Sequence, residues 1–428
     1  MPFTKQQKIV TIGAWLGWSL DGYDLVLMLF VIPVISNLFF PSSNEAYSLL
    51  ATFAAYVVTL IMRPFGGAFF GNFGDKIGRK KVMMITILGF SIGTFATGLL
   101  PTWEMVGIMA PILLIILRFI QGFFAGGEWG SGAVLTMETI PKESRGLFSG
   151  FLQSGFPFGF IIASIVFFFV TSSLSEKEFV DYGWRILFFT GIIPGSVALF
   201  VRLKMEQSKV WIEKSIQKKI LKFPLREIWI NKEQRKRFLL AIIIMTGLMY
   251  SYYTSIGFFP TLLQDFIPIE KTDIAKLLIM LTATSFFGTI FVGYLSQIMG
   301  RQKTMAIFAA AAAFLAIPII YGIYQSTFFY ERSTYAIIII FVATTGFGAI
   351  PAFLSERFPT EIRNSASGFA YNGGLFFGAM APIIALNLLS QSSEYAPVLL
   401  GLNIIFGSVI ILIGTKLNPE TKDIDIEK

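Results

Sequence analysis

Twelve long apolar segments constrain this chain more than any other feature. They lie near residues 9–36, 47–72, 82–101, 106–136, 146–172, 184–203, 238–263, 274–298, 303–323, 334–355, 364–389 and 396–416. Each runs about 20 residues or more, the length an α-helix needs to cross the hydrocarbon core of a bilayer. Backbone amides in lipid have no water to bond, so a spanning segment must be a helix or part of a closed barrel. A barrel would show short alternating strands. These segments are continuously apolar and rich in Phe, Ile, Leu and Gly. The expected fold is an all-α membrane protein with twelve transmembrane helices. Only 14% of the residues are charged, against about 25% in an ordinary soluble domain.

Two absences narrow the chemistry. The chain contains no Cys and no His. Disulfides, thiolate metal sites, imidazole metal ligands and Ser-His-Asp triads are therefore excluded. Proton chemistry near neutral pH falls to Asp and Glu. No dinucleotide or phosphate-loop signature is present, so no cofactor is expected and the chain does not read as an enzyme.

The net charge of +8 is explained by position. Lys76, Arg79, Lys80, Lys81, Lys142, Arg145, Arg301, Lys303, Arg357 and Arg363 fall in alternate short loops, on the same side as the basic stretch 204–237. The opposite loops hold Glu45, Glu104, Glu176, Glu178, Asp181, Asp265, Glu270 and Asp273. This is the positive-inside bias of a cell-membrane protein, not a nucleic-acid patch. It predicts that both termini are cytoplasmic. Stretch 204–237 also carries apolar pairs (Val210–Trp211, Ile220–Leu221, Ile228–Trp229), which predict short amphipathic helices on the bilayer surface.

The chain repeats itself. Residues 71–81 read GNFGDKIGRKK and residues 293–303 read GYLSQIMGRQK, an offset of 222. Gly71, Gly78, Arg79 and Lys81 recur as Gly293, Gly300, Arg301 and Lys303, while Asp75 becomes Gln297. At an offset of 218, Glu138, Pro141, Arg145, Gly150 and Gly155 recur as Glu356, Pro359, Arg363, Gly368 and Gly373. A duplicated six-helix unit is a common plan of secondary transporters. The expected organisation is a first half (1–203), a basic linker (204–237), a second half (238–416) and a short cytoplasmic tail (417–428).

These motifs resemble the major facilitator superfamily. The G-x-x-x-D-x-x-G-R-K-K loop after helix 2 and its degenerate copy after helix 8 carry the likeness. So do Arg118-Phe-Ile-Gln-Gly122, Glu206-Gln-Ser-Lys209 and Pro419-Glu-Thr-Lys422. Trp15-Leu-Gly-Trp18, Asp21-Gly-Tyr-Asp24, Arg63-Pro64 and Gly126-Gly-Glu-Trp129 are similar to elements of the sialate and lactate proton symporters and of the related metabolite:proton symporters. The aromatic-acid symporters share the Asp-Gly-Tyr-Asp element without the Arg-Pro. The resemblance implies a monomeric transporter whose partners are a small organic anion, protons and the lipid bilayer.

Ionisable side chains at membrane depth are costly and mark candidate functional sites. Asp21, Asp24, Arg63, Arg118 and Glu128 stand out, all in the first half. Asp21 lies about 20 Å along helix 1 from Lys8, near the midplane. Asp21 and Asp24 share one helix face and are candidates for proton coupling. The competing reading is a structural ion pair with Arg63. Arg118, about 16 Å into helix 4, has the planar fork that grips a carboxylate. It reads either as the substrate anchor or as a counter-ion for an acid. Glu128 reads as a proton relay or as a partner of Arg63. Gln153, Tyr23, Tyr250, Tyr253, Tyr371 and Asn372 are polar positions that could complete a central substrate pocket, or merely bond helix to helix. Trp15 and Trp18 either line it or pack.

Asp75, Arg79, Glu138, Arg145, Arg301, Glu356 and Arg363 fall at cytoplasmic helix ends. Positive-inside anchoring explains the cations but not the paired acids. The resemblance implies a gate of ion pairs that holds the halves together when the inside is closed. The leading expectation is proton-coupled uptake of a monocarboxylate such as lactate or pyruvate, or of a sialate-like acid, by alternating access. A sugar, polyol or aromatic-acid transporter, an exporter, and a non-transporting sensor are the alternatives.

Overall fold

The computed structural model describes residues 3–217, 221–259, 262–263, 267, 271–391 and 395–426. Residues 218–220 of the basic stretch, Ile220 among them, and the loop acids Asp265 and Glu270 lie outside that set. Among the described residues, twelve helices are long and apolar enough to cross a membrane. They are α1 (Lys5–Phe39), α2 (Tyr47–Ile77), α3 (Arg79–Gly98), α4 (Met109–Thr139), α5 (Lys142–Ser173), α6 (Glu176–Leu203), α7 (Lys232–Thr254), α8 (Lys276–Met299), α9 (Arg301–Gln325), α10 (Phe329–Arg357), α11 (Arg363–Ala385) and α12 (Ala396–Leu417). No strand occurs among the described residues. The linker holds two short helices, Lys209–Ile216 and Pro224–Ile230.

Local chemistry explains the boundaries. Thr4 and Gln7 form a reciprocal capping box at the start of α1. Gly78 (φ 99°) separates α2 from α3, and Gly300 (φ 101°) separates α8 from α9. A residue with a Cβ is disfavoured in that backbone region, so the repeated glycine fixes the same tight turn twice.

The halves meet through repeated close contacts. A Cβ on Gly71 of α2 would lie 2.7 Å from Ser365 Cα of α11. The equivalent Cβ on Gly293 of α8 would lie 2.5 Å from Gly150 Cα of α5. α2 against α11 and α5 against α8 are therefore equivalent crossings that only hydrogen side chains allow.

One apolar cluster packs within the first half, around Leu20, Phe90 and Phe188, and one within the second, around Ile320 and Ile340. A third joins them through Trp129, Met245, Phe353 and Tyr371. The outside is also apolar: Phe168 is 64% and Phe314 82% exposed. Such a surface is stable only against lipid. Gln7 donates to Thr139 O (3.2 Å) and Lys142 to Asp423 O (2.7 Å), so the start of α1 and the segment after α12 share one end of the bundle. The linker joins that end through Trp211 Nε1, which donates to Asp75 O (2.8 Å). We call it the basic end.

Candidate functional site

A central cavity lies between the halves, with about 540 Å³ of empty space, open solvent included. Both halves line it. α1 gives Trp18, α2 Arg63, and α5 Gln153, Phe156 and Pro157. α7 gives Met249, Tyr252 and Tyr253, α8 Ser285 and Thr289, α10 Thr344 and Phe347, and α11 Tyr371 and Leu375. The repeat is visible in the wall. Arg63 and Ser285 are equivalent at the offset of 222, and Gln153 and Tyr371 at the offset of 218.

Arg63 is the cation of this wall. Its guanidinium grips Asp21 with two bonds, one of them Nη1 to Oδ2 at 2.8 Å. Among the described residues its Nε–H has no acceptor, although the side chain is only 3% exposed. Trp18 Nε1–H, on the same wall, also lacks one. An unmet buried donor costs about 1–3 kcal/mol, so two together mark a place for an acceptor.

The rest of the wall is largely aromatic. Tyr371 stacks on Trp129 at 3.6 Å between ring centroids and meets Trp18 edge-on at 5.8 Å. Gln153 donates to Tyr371 Oη (3.0 Å) and accepts from Trp129 Nε1 (2.9 Å). In the second half, Thr289 and Thr344 donate to their own helices, at Ser285 O and Ile340 O (2.5 and 2.8 Å). Thr344 Oγ1 also lies 3.3 Å from Ser285 Oγ, and Thr289 keeps its lone pairs for a donor in the cavity.

The other sequence candidates separate into three sets. Asp24 lies one shell deeper than Arg63. It accepts from Thr94 Oγ1 (2.8 Å), Gln121 Nε2 (3.1 Å) and Arg118 Nη1 (3.2 Å). Arg118 is fully buried, also donates to Thr97 Oγ1 (3.4 Å), and is not part of the cavity wall. Its counter-ion reading matches this geometry; a direct substrate anchor does not, because the α4 face that carries it turns toward α1 and α3. Glu128 pairs with Arg202 of α6 and accepts from Thr86 Oγ1 (2.7 Å). The expected pairing of Glu128 with Arg63 is thus replaced by one with Arg202. Arg202 stands two residues before the basic linker, so its position along the chain gives no sign that it is buried against Glu128.

Tyr23, Tyr250 and Asn372 also sit off the cavity wall. Tyr23 Oη is 2.6 Å from Thr190 Oγ1 of α6, and Tyr250 bonds Asn403 of α12. Asn372 ties α11 to the first half by donating to Gly126 O (3.0 Å). Tyr253 and Tyr371 do line the cavity.

The charged residues at the basic end form a buried network. Glu138 accepts from Arg363 Nη1 (2.6 Å) across the halves and lies 3.3 Å from Arg79 Nη2. Arg79 also donates to Thr360 O (2.9 Å) and lies 3.2 Å from Asp75. Asp75 accepts from Asn364 N (3.1 Å), Ser365 N (2.9 Å) and Ser365 Oγ (2.6 Å), so it caps the start of α11. Arg301 and Glu356 make a bidentate pair (3.1 and 2.9 Å), but both belong to the second half. This pair therefore does not bridge the halves, because α8–α9 and α10 are neighbours in one six-helix unit. Arg145 donates to Met137 O (3.2 Å) and Ile424 O (3.4 Å).

Two equivalent bundles, a cavity walled by both and a charged closure at one end define a membrane transporter. The chain belongs to the Major Facilitator Superfamily, whose family model matches residues 9–382. It is 29% identical to the inner membrane metabolite transport protein YhjE of Escherichia coli K12, over 98% of this chain and 96% of that protein. It is 28% identical to the proline/betaine transporter of the same organism, over 91% of this chain and 79% of that protein. In fold it is similar to the proton:xylose symporter XylE bound to 6-bromo-6-deoxy-D-glucose. That match has a TM-score of 0.80 and 18% identity, and covers 99% of this chain and 98% of the other.

Proposed function

We propose that this protein is a proton-coupled symporter that takes up a small organic anion. The basic end is cytoplasmic, by the positive-inside bias. One observation carries the reading: two buried donors without acceptors among the described residues, Arg63 Nε–H and Trp18 Nε1–H, line the central cavity. A carboxylate supplies what they lack.

Coupling follows from the pair behind that wall. Asp21 occupies the Nη groups of Arg63. A proton on Asp21 neutralises it and releases the guanidinium to hold a substrate carboxylate with two bonds. Proton and anion then move as an electrically neutral load. Asp24 and Arg118 form a second, deeper pair that is positioned to pass the proton on. The substrate classes are lactate- or pyruvate-like monocarboxylates and sialate-like acids.

A second reading rests on the aromatic wall of Trp18, Phe156, Tyr252, Phe347 and Tyr371. Such faces attract a quaternary ammonium, so a zwitterion with a carboxylate at one end also suits the cavity. The relatives named for proline and betaine carry such zwitterions in their names.

The test is uptake into liposomes under an inward acid gradient. The panel is lactate, pyruvate, sialate, glycine betaine and xylose, with Asp21→Asn and Arg118→Gln beside wild type. Gradient-driven uptake of an acid, uncoupled from the gradient in Asp21→Asn, is expected. Betaine uptake alone favours the zwitterion. Xylose uptake with no acid transported overturns the anion reading.

A further inference from the structure

The segment after α12 does not leave the molecule. Ile426 is only 2% exposed and packs with Met137 of α4 and Ala352 of α10, with Phe148 of α5 beside it. Three backbone carbonyls of the segment accept bonds from cations. Asp423 O takes Lys142 Nζ (2.7 Å), Ile424 O takes Arg145 Nη1 (3.4 Å), and Ile426 O takes Arg363 Nη2 (3.0 Å). Arg363 is also the cation that Glu138 holds across the halves.

The contacts sort by half. Toward the second half, the Glu420 carboxylate caps Arg301 N and Gln302 N (2.8 and 3.0 Å), and Thr421 Oγ1 donates to Glu356 (2.9 Å). Those bonds and the covalent link to α12 tie the segment to the second half. Lys142, Arg145, Met137 and Phe148 all belong to the first. The segment is thus stapled to one bundle and seated on the other.

We propose that residues 421–426 are a plug in the basic end of the transport path. It withdraws from the first half each time that end opens. Ile426 fills the space where α4 and α10 approach each other, so the halves cannot separate there without exposing it. The carbonyl bonds give it a fixed register, and two of the three cations, Arg145 and Arg363, are copies of one position, one in each half. Shortening or reshaping the segment biases the two-state equilibrium of the bundle toward the form open at this end. The proposal rests on the two-half fold and not on the identity of the substrate.

The chain has no cysteine, so introduced thiols report alone. Lys81 and Lys303 are exposed, equivalent positions at the starts of α3 and α9. Nitroxides on Lys81→Cys and Lys303→Cys, in the full chain in lipid nanodiscs, measure the gap between the halves by pulsed electron resonance. Ile426→Asp, and a chain ending at Glu420, are each expected to raise the long-distance fraction at least twofold. Distance distributions identical to wild type in both variants overturn the proposal. A second arm guards against variants that fail to fold. Met137→Cys with Ile426→Cys is bridged by a short bis-methanethiosulfonate. Bridging is expected to abolish uptake of the solute that the wild type carries, and reductant to restore it. Undiminished uptake in the bridged protein also overturns the plug.

Discussion

Where α2 ends, a carboxylate caps the opposite half; where α8 ends, an amide does. Asp75 accepts from Asn364 N and Ser365 N at the start of α11. Gln297, its equivalent, accepts from Gly146 N at the start of α5 (2.8 Å). The two bonds serve the same purpose, since each ties the end of one half to a helix start in the other. They differ in charge, and a full negative charge suits a helix N-terminus better than a neutral oxygen. The same contrast runs through the membrane. Arg63 and its equivalent, Ser285, both line the cavity, while Arg118 and Glu128 correspond to Ala336 and Gly346. The repeated fold needs the geometry twice. The five candidate charges at membrane depth all stand in the first half.

That contrast is open to direct attack. Arg63→Ala is expected to lower uptake by at least about 100-fold, because it strands the Asp21 carboxylate, at about 3–5 kcal/mol. Ser285→Ala, at the equivalent position, is expected to cost about 1 kcal/mol, roughly fivefold. Initial uptake rates compare the two, and equal losses would erase the asymmetry. Next come the acids of the basic end. Glu138→Gln leaves Arg363 without its partner across the halves and is expected to destabilise the closed form by about 3 kcal/mol. Thiol labelling at this end reads the change. Glu356→Gln strands Arg301 within one half, so it is expected to lower Tm while leaving that labelling unchanged.

A swap of the two caps sharpens the comparison further. Asp75→Asn is expected to weaken the closed form by about 0.3–1 kcal/mol, and Gln297→Glu to strengthen it by a similar amount. Closed-form populations moving in the same direction for both would break the account. The smallest effect is expected at Lys214→Ala. The Lys214–Glu361 pair (3.0 Å) joins the linker to the second half but is about one-fifth exposed on each side. It is expected to contribute under about 1 kcal/mol, within the error of a thermal melt.

The helices were legible because lipid enforces length and apolar character, and both can be counted along a chain. The segment read at 303–323 is α9, Arg301–Gln325, and that read at 396–416 is α12, Ala396–Leu417. The start of α6 was not legible. Glu176, Glu178 and Asp181 look like loop residues, yet a wide π-type turn carries the helix through them to Trp184. For the site, depth was legible and direction was not. A rise of about 1.5 Å per residue places Arg118 at mid-membrane, but only packing decides whether it turns to the cavity or to Asp24. The expected repeat of the closure had the same weakness. Sequence equivalence pairs Glu138 with Glu356, and each lies against the arginine of its own half, Arg79 or Arg301, but Glu138 also reaches Arg363 in the other half. Residues 421–426 carry no periodicity, so their seat between the halves left no mark in the pattern.

The bond between Gln153 and Tyr371 has a mechanical meaning. The two residues are copies of one position, so the contact between them straddles the axis that relates the halves. A bond between two copies of one position counts as a single tie shared equally by both halves, and Trp129 braces it from the first. It lies on the wall of the cavity itself. The halves cannot part at that depth without breaking it, so the cavity carries its own clasp.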